Sequence, residues 1–150
     1  MTDAEPGALT AEDRQALTEL FARYGWSFDA GDVDGFVALF TPEAVYELDG
    51  GRRFVGREQI GGYLSQAAGS NWFPGRQHHI DQIIIEGNAL RATSRAYCTV
   101  TQRSLDGTMK IVYLGRYADT CVKVGNRWLF AERIVRSWNS EEMRARGLTP

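Results

Sequence analysis

Apolar residues first recur at helical spacing. Leu17, Leu20, Phe21, Tyr24 and Phe28 fall on one helix face. Thr10 is a good N-cap ahead of them, with Glu12 and Asp13 in the first turn, where acids suit the helix dipole. This helix is predicted to end near Ala30-Gly31. Asp32 then caps a second, short helix through Phe40, with Val33, Phe36, Val37 and Phe40 as its stripe and Thr41-Pro42 as its stop. Ala44 to Leu48 reads as a strand, Asp49-Gly50-Gly51 as a hairpin turn, and Arg52 to Val55 as the returning strand. Gly56 leads into a third helix, Arg57 to Ala68, burying Ile60, Tyr63 and Leu64, and Gly69 to Gly75 forms a loop.

Four long strand-like segments follow: His78–Glu86, Leu90–Gln102, Met109–Val124 and Arg127–Trp138. The turns between them, Glu86-Gly87-Asn88, Leu105-Asp106-Gly107 and Val124-Gly125-Asn126, are short. Short turns between long strands predict an antiparallel meander. Helices first and a meander after give an α+β fold, with three helices on a strongly curved, mostly antiparallel sheet. One helix layer on a curved sheet leaves a hollow, and hollows take small ligands. Residues 1–9 read as a disordered lead-in, 10–138 as one domain and 139–150 as a tail.

Composition narrows the function. Hydrophobic residues at 43% and aromatics at 11% supply a core without disulfides or metal. A net charge of -2 with scattered Lys and Arg leaves no footprint for nucleic acid or an anionic membrane. Cys98 and Cys121 lack metal-ligand spacing and read as small buried residues. No apolar run approaches the ~18 residues of a membrane span, and the N-terminus lacks a leader's apolar stretch, so a cytoplasmic location is expected. No phosphate-cradling glycine loop or ligand cluster stands out, so neither cofactor nor metal is expected.

Four stretches come in a telling order: Phe54-Val55-Gly56-Arg57-Glu58-Gln59-Ile60, Arg76-Gln77-His78-His79-Ile80, Gly115-Arg116-Tyr117-Ala118-Asp119, and Gly125-Asn126-Arg127-Trp128-Leu129-Phe130-Ala131-Glu132-Arg133. Together they resemble the SnoaL-like, nuclear-transport-factor-2-like superfamily over roughly residues 10–138. The resemblance implies a cone-shaped α+β barrel around one small-molecule pocket. The superfamily includes scytalone dehydratase, bile-acid 7α-dehydratase, ketosteroid isomerase, polyketide cyclases, limonene epoxide hydrolase and small subunits of ring-hydroxylating dioxygenases, so it fixes no reaction by itself.

The candidate chemistry rests on a few polar residues. His78 and His79 are the chain's two histidines, and on a strand they point to opposite faces. If even residues face in, His78 joins Ile80, Gln82 and Ile84; if odd ones do, His79 joins Asp81, Ile83 and Ile85. The even phase buries fewer charges and favours His78 as a base working near neutral pH. Asp29, at the end of the first helix, is placed to orient that imidazole, although Asp29-Ala-Gly-Asp32 also reads as plain helix-end chemistry. Tyr24 lies on an apolar stripe, where a core aromatic is the simpler reading; its buried hydroxyl still needs a partner. Arg136 closes the last strand, as an exposed strand-end charge or as a rim clamp for a carboxylate or enolate oxygen, with Arg116 and Arg133 as rivals. Tyr46, Trp26, Trp72, Phe73 and Tyr113 are candidates for the substrate-binding lining.

By resemblance, Tyr24, Asp29, His78 and a late arginine match in pattern the Tyr/Asp/His/Arg set of bile-acid 7α-dehydratase. The chain departs from scytalone dehydratase, with Thr101 in place of a second histidine and Phe28 and Leu48 in place of tyrosines. The sequence thus favours a cofactor-independent lyase or isomerase, a dehydratase first, acting on an oxygenated cyclic or polycyclic compound. The alternatives are a non-catalytic ligand-binding domain and a small subunit of a dioxygenase-type assembly. A homodimer is expected through the convex sheet face bearing Tyr97 and Thr99.

Overall fold

The computed structural model describes residues 6–138 and 145. The helix α1 runs Ala11–Ala30 and buries Leu17, Leu20, Phe21, Tyr24 and Phe28, the stripe seen in the sequence. Thr10 caps it through a reciprocal capping box with Asp13, and Gly31 ends it in the left-handed conformation at φ 66°. After α1 come α2 (Val33–Val37), β1 (Phe40–Glu47), a 3-10 turn (Asp49–Gly51), β2 (Arg53–Val55), α3 (Gly56–Ala68), β3 (Arg76–Gly87), β4 (Arg91–Arg103), β5 (Met109–Val124) and β6 (Arg127–Ser137).

The strands form one mixed sheet in the order β2-β1-β6-β5-β4-β3. Every neighbouring pair is antiparallel except β1 with β6. The sheet curls around the helices without closing, so the core and the hollow share one concave side. The convex side carries Tyr97, which is 54% exposed.

The second helix is shorter than the sequence pattern predicts. It ends at Val37, and Phe40 opens β1 instead, opposite Phe130. The Phe130 amide donates to the Leu39 carbonyl at 2.8 Å, so the sheet captures these residues before another helical turn can form. Thr41 and Pro42 lie inside β1 where its pairing with β6 is interrupted, between Phe40 and Val45. Pro42, which has no N–H to give, fits that irregularity. The lead-in departs too, since Ala8 bridges to Asn88 and the Ala89 amide donates to the Gly7 carbonyl at 2.7 Å. The tail expected over 139–150 lies, apart from residue 145, outside the described residues.

The Gly-Arg-Glu-x-Ile stretch now has a physical reading. Gly56 takes φ 80° to turn from β2 into α3. Arg57 donates from both Nε and Nη2 to the Phe40 carbonyl, at 2.9 and 2.6 Å, which ties the start of α3 to β1. Ile60 is then fully buried.

Asp13 joins the two ends of the domain. Its carboxylate accepts from Lys123 Nζ at 2.8 Å and Trp128 Nε1 at 3.0 Å, besides closing the capping box on Thr10. The Lys123 bond, then those from Trp128 and Thr10, hold its carboxyl well below the ordinary 3.8. A depressed folded pKa stabilises above the unfolded value and loses that contribution as pH falls below it. Asp13→Asn is therefore expected to lower Tm by several degrees at pH 7, with the gap to wild type closing below about pH 4. Thermal unfolding followed across pH tests this, and a gap that stays constant in acid would contradict it.

Candidate active site

Between α1 and the concave sheet lies a cavity of about 440 Å³. α1 contributes Tyr24 and Phe28, β1 Tyr46, α3 Tyr63, β3 Arg76 and His78, and β5 Tyr113 and Tyr117. Nearly every element sends one or two side chains, so the cavity exists only in the folded domain. Its size and aromatic lining are those of a small-molecule site.

The close approach of α1 to β3 builds the first polar constellation. A β-carbon placed on Gly25 would stand 3.4 Å from that of His78, so the helix backbone lies directly on the strand there. Asp29 is one turn further on the same helix face and meets His78 twice. The His78 backbone N–H donates to Asp29 Oδ2 at 2.8 Å. The ring Nδ1 lies 2.6 Å from Asp29 Oδ1. An Nδ1–H donated to the carboxylate fixes the tautomer in which Nε2 is the acceptor. The Phe28 ring packs against the imidazole at 4.8 Å between centroids, and Tyr24 lies beyond at 6.1 Å. Two anchored contacts and two aromatic neighbours leave the ring little freedom.

The second constellation is a set of neutral phenols backed by a buried cation. The Tyr24 and Tyr46 hydroxyls are 2.7 Å apart. Whichever donates, its partner keeps one O–H free for a ligand oxygen. Burial pushes both pKa values well above 10.0, so both stay protonated. Behind them Arg133 is fully buried and donates to both oxygens of Asp119, at 2.7 and 2.9 Å. Its guanidinium carbon lies 4.0 Å from the Phe130 ring centroid, 4.1 Å from that of Tyr24 and 4.2 Å from that of Tyr117. Burial opposes the charge, but the Asp119 carboxylate more than offsets it and raises the Arg133 pKa above its ordinary value. A fixed positive charge on the face of Tyr24 favours electron density moving onto its oxygen.

The model of the SnoaL-like domain matches residues 9–134. The chain belongs to the SnoaL-like family. That family includes polyketide cyclases and dehydratases. Among solved structures, the chain is similar to Aln2 from a Streptomyces species, at 25% identity and TM-score 0.81 over 93% of this chain and 99% of that one. It is also similar to a protein of unknown function with a cystatin-like fold from Nostoc punctiforme, at 25% identity and TM-score 0.80 over 89% and 96%. A third, a protein of unknown function from Mycobacterium tuberculosis, shares 26% identity with TM-score 0.78 over 85% and 77%. No curated protein matches significantly.

This SnoaL-like chain brings together Tyr24, Asp29, His78, Tyr46 and Tyr113 as the sequence suggested, and sends others elsewhere. His79 points to the opposite face, where its Nε2 lies 3.0 Å from Thr101 Oγ1. The β4 residue that lines the cavity is Val100, beside His78 in register. The even phase holds for His78 and Ile80 but not for Gln82 and Ile84. Gln82 adopts φ 51°, an extra residue enters β3 between Asp81 and Ile84, and Ile83 and Ile85 turn inward instead. Trp26 is 78% exposed and lies outside this cavity, bordering the groove between α1 and β3 that Gly25, Asp29 and His78 also line. Phe73 packs behind the cavity on Phe28, while Trp72 borders the opening. Arg136 is not among the residues lining the cavity; it pairs with Glu47 and donates to the Val135 carbonyl.

Sequence reasoning missed Arg76, Arg52, Tyr63 and Tyr117 as lining residues. Arg76 was within reach of it, because it stands two residues before His78 and so shares its face. Tyr113, two before Gly115, owes its place to that glycine. A β-carbon at 115 would fall 2.5 Å from the Tyr113 hydroxyl.

The Arg133–Asp119 pair gives a direct test. Arg133→Met leaves Asp119 buried without its counter-ion and is expected to cost about 3–5 kcal/mol. Pairing it with Asp119→Leu removes both charges and should recover much of that loss. Urea unfolding of the two variants decides; a double variant no more stable than the single one would count against a charge-balance role.

Proposed function

We propose that this protein is a cofactor-independent lyase or isomerase, a dehydratase first, acting on an oxygenated cyclic or polycyclic compound. The observation that carries the reading is the His78–Asp29 pair, with Nδ1 engaged at 2.6 Å and the ring lining an aromatic cavity. His78 Nε2 takes a proton from the carbon next to a carbonyl. The electrons move onto the carbonyl oxygen, which receives a hydrogen bond from the Tyr24–Tyr46 pair. The Tyr113 hydroxyl, buried and without a protein partner, is a further donor to the same substrate.

The proton on His78 then has somewhere to go. If the neighbouring carbon carries a hydroxyl, the imidazolium protonates it, the C–O bond breaks, and water and an unsaturated ketone leave. If it carries none, return of the proton to another carbon gives an isomer. Asp29 accepts no proton in either course; it holds the ring and balances the imidazolium. The apolar walls keep bulk water away from the enolate and strengthen each hydrogen bond to it.

His78→Ala is expected to lower kcat by about 10²-fold or more on any hydroxylated cyclic ketone that wild type converts, with binding retained. Asp29→Asn should lower kcat while leaving KM near wild type. Screening such ketones for loss of water, by mass and absorbance, provides the measurement. Equal binding by wild type and His78→Ala with no conversion by either would instead make the cavity a carrier site.

A further inference from the structure

Two cations of the cavity are left without an anion. Arg76, on β3, and Arg52, just before β2, both line it. Neither forms an ion pair among the described residues. The Arg76 Nε is buried and has no hydrogen-bond partner. Its guanidinium instead lies over the Trp72 ring, 4.8 Å from the centroid. Arg52 stands 5.9 Å from the Tyr63 centroid, and the charges of Arg52 and Arg76 both act on the Tyr63 hydroxyl.

Two carboxylates stand near, Asp29 beside Arg76 and Asp49 in the cavity lining, and neither is within ion-pair distance of these arginines. Asp29 accepts both hydrogen bonds from His78. Asp49 accepts from the Ser137 backbone amide at 2.8 Å. Arg133 and Arg136 are already paired, with Asp119 and Glu47. A half-buried guanidinium without an acceptor is costly to the folded protein, and a ligand carboxylate that meets its remaining nitrogens from the cavity offsets part of that cost. Burial also holds the Arg76 pKa below its ordinary value, and the Asp29 carboxylate offsets only part of that.

We propose that the cavity takes a carboxylate attached to an aromatic or polycyclic ring. Arg76 binds the carboxylate at the opening with Arg52 beside it, and the rings lie inward among Phe28, Tyr63 and Tyr113. Trp72 holds the Arg76 side chain in place from its other face. Arg76 thereby sets specificity, and the bound carboxylate fixes which ring carbon reaches His78. This deepens the reading above and rests on the cavity being the substrate site, but it does not need His78 to act as a base.

The test compares binding of 2-naphthoate and its neutral counterpart 2-naphthamide to the full-length protein at low salt, by calorimetry. Wild type is expected to bind the carboxylate about tenfold or more tightly than the amide, the worth of one charge-assisted contact. Arg76→Gln should remove that preference, read as the ratio of the two affinities within each variant, Arg76→Lys should restore part of it, and His78→Ala should leave the ratio intact. If Arg76→Gln does not fold, Arg52→Gln supplies the same readout through a reduced preference. Equal affinities in wild type, a preference untouched by these arginine variants, or no binding of either compound at millimolar concentration would each overturn the proposal. A carboxylate preference without any turnover would sink the enzyme reading alone, and turnover of neutral ketones without the preference would sink this one alone.

Discussion

A buried cation governs how this domain can be built. Arg133 sits at the centre of the concave side with no exposed surface, and a lone charge there would be prohibitive. Asp119 supplies the counter-charge through two hydrogen bonds, and Ser94 donates to the same carboxylate at 3.2 Å. The guanidinium carbon then lies over the rings of Phe21, Tyr24, Tyr117 and Phe130. Those rings come from α1, β5 and β6. One ion pair therefore sets the spacing between the first helix and the last two strands. It sits next to the cavity and fixes the face that Tyr24 turns toward it.

Curvature does the rest. The sheet bends around α1 and α3 but cannot fill its own concave side, because one helix layer covers less than a curled sheet exposes. The hydroxyls of Tyr24 and Tyr46 satisfy each other across the gap, from α1 and β1. The β3 bulge at Gln82 belongs to the same solution. Before it, His78 and Ile80 face the helix; after it, Ile83 and Ile85 do. Without the extra residue, one end of β3 would turn its isoleucines to water. The bulge lets a strand that carries the cavity's imidazole at its start also cover the core at its end.

Much of this is legible in the sequence, and the parts that are not share a cause. The α1 stripe, its Thr10 cap, the Gly31 end and the β3–β6 meander follow from local periodicity and turn chemistry, and the structure has them. Asp29 and His78 can be named as partners because a helix end and a strand start each have a predictable direction. The pattern overextends the second helix because its stripe and the β1 register both claim Phe40, and only the parallel pairing with β6 decides between them. Trp26, one helical step of about 100° from Gly25, borders the groove beside His78 and not the aromatic cavity. Arg136 is paired with Glu47, 89 residues away, and no local pattern shows that pairing.

The resulting site divides its polar groups by depth. Inside, phenols that burial keeps protonated can donate hydrogen bonds without bringing charge of their own. At the side, His78 is held by a carboxylate on a different element, so its position depends on the contact of α1 with β3 at Gly25 and not on a mobile loop. Toward the opening stand two arginines without an ion pair, Arg52 exposed to water and Arg76 half-buried beside Trp72. A ligand entering charged end last would meet neutral donors first and cations at the end. That order makes the depth of insertion, and with it the carbon presented to His78, depend on the distance between a ligand's ring oxygen and its acidic group.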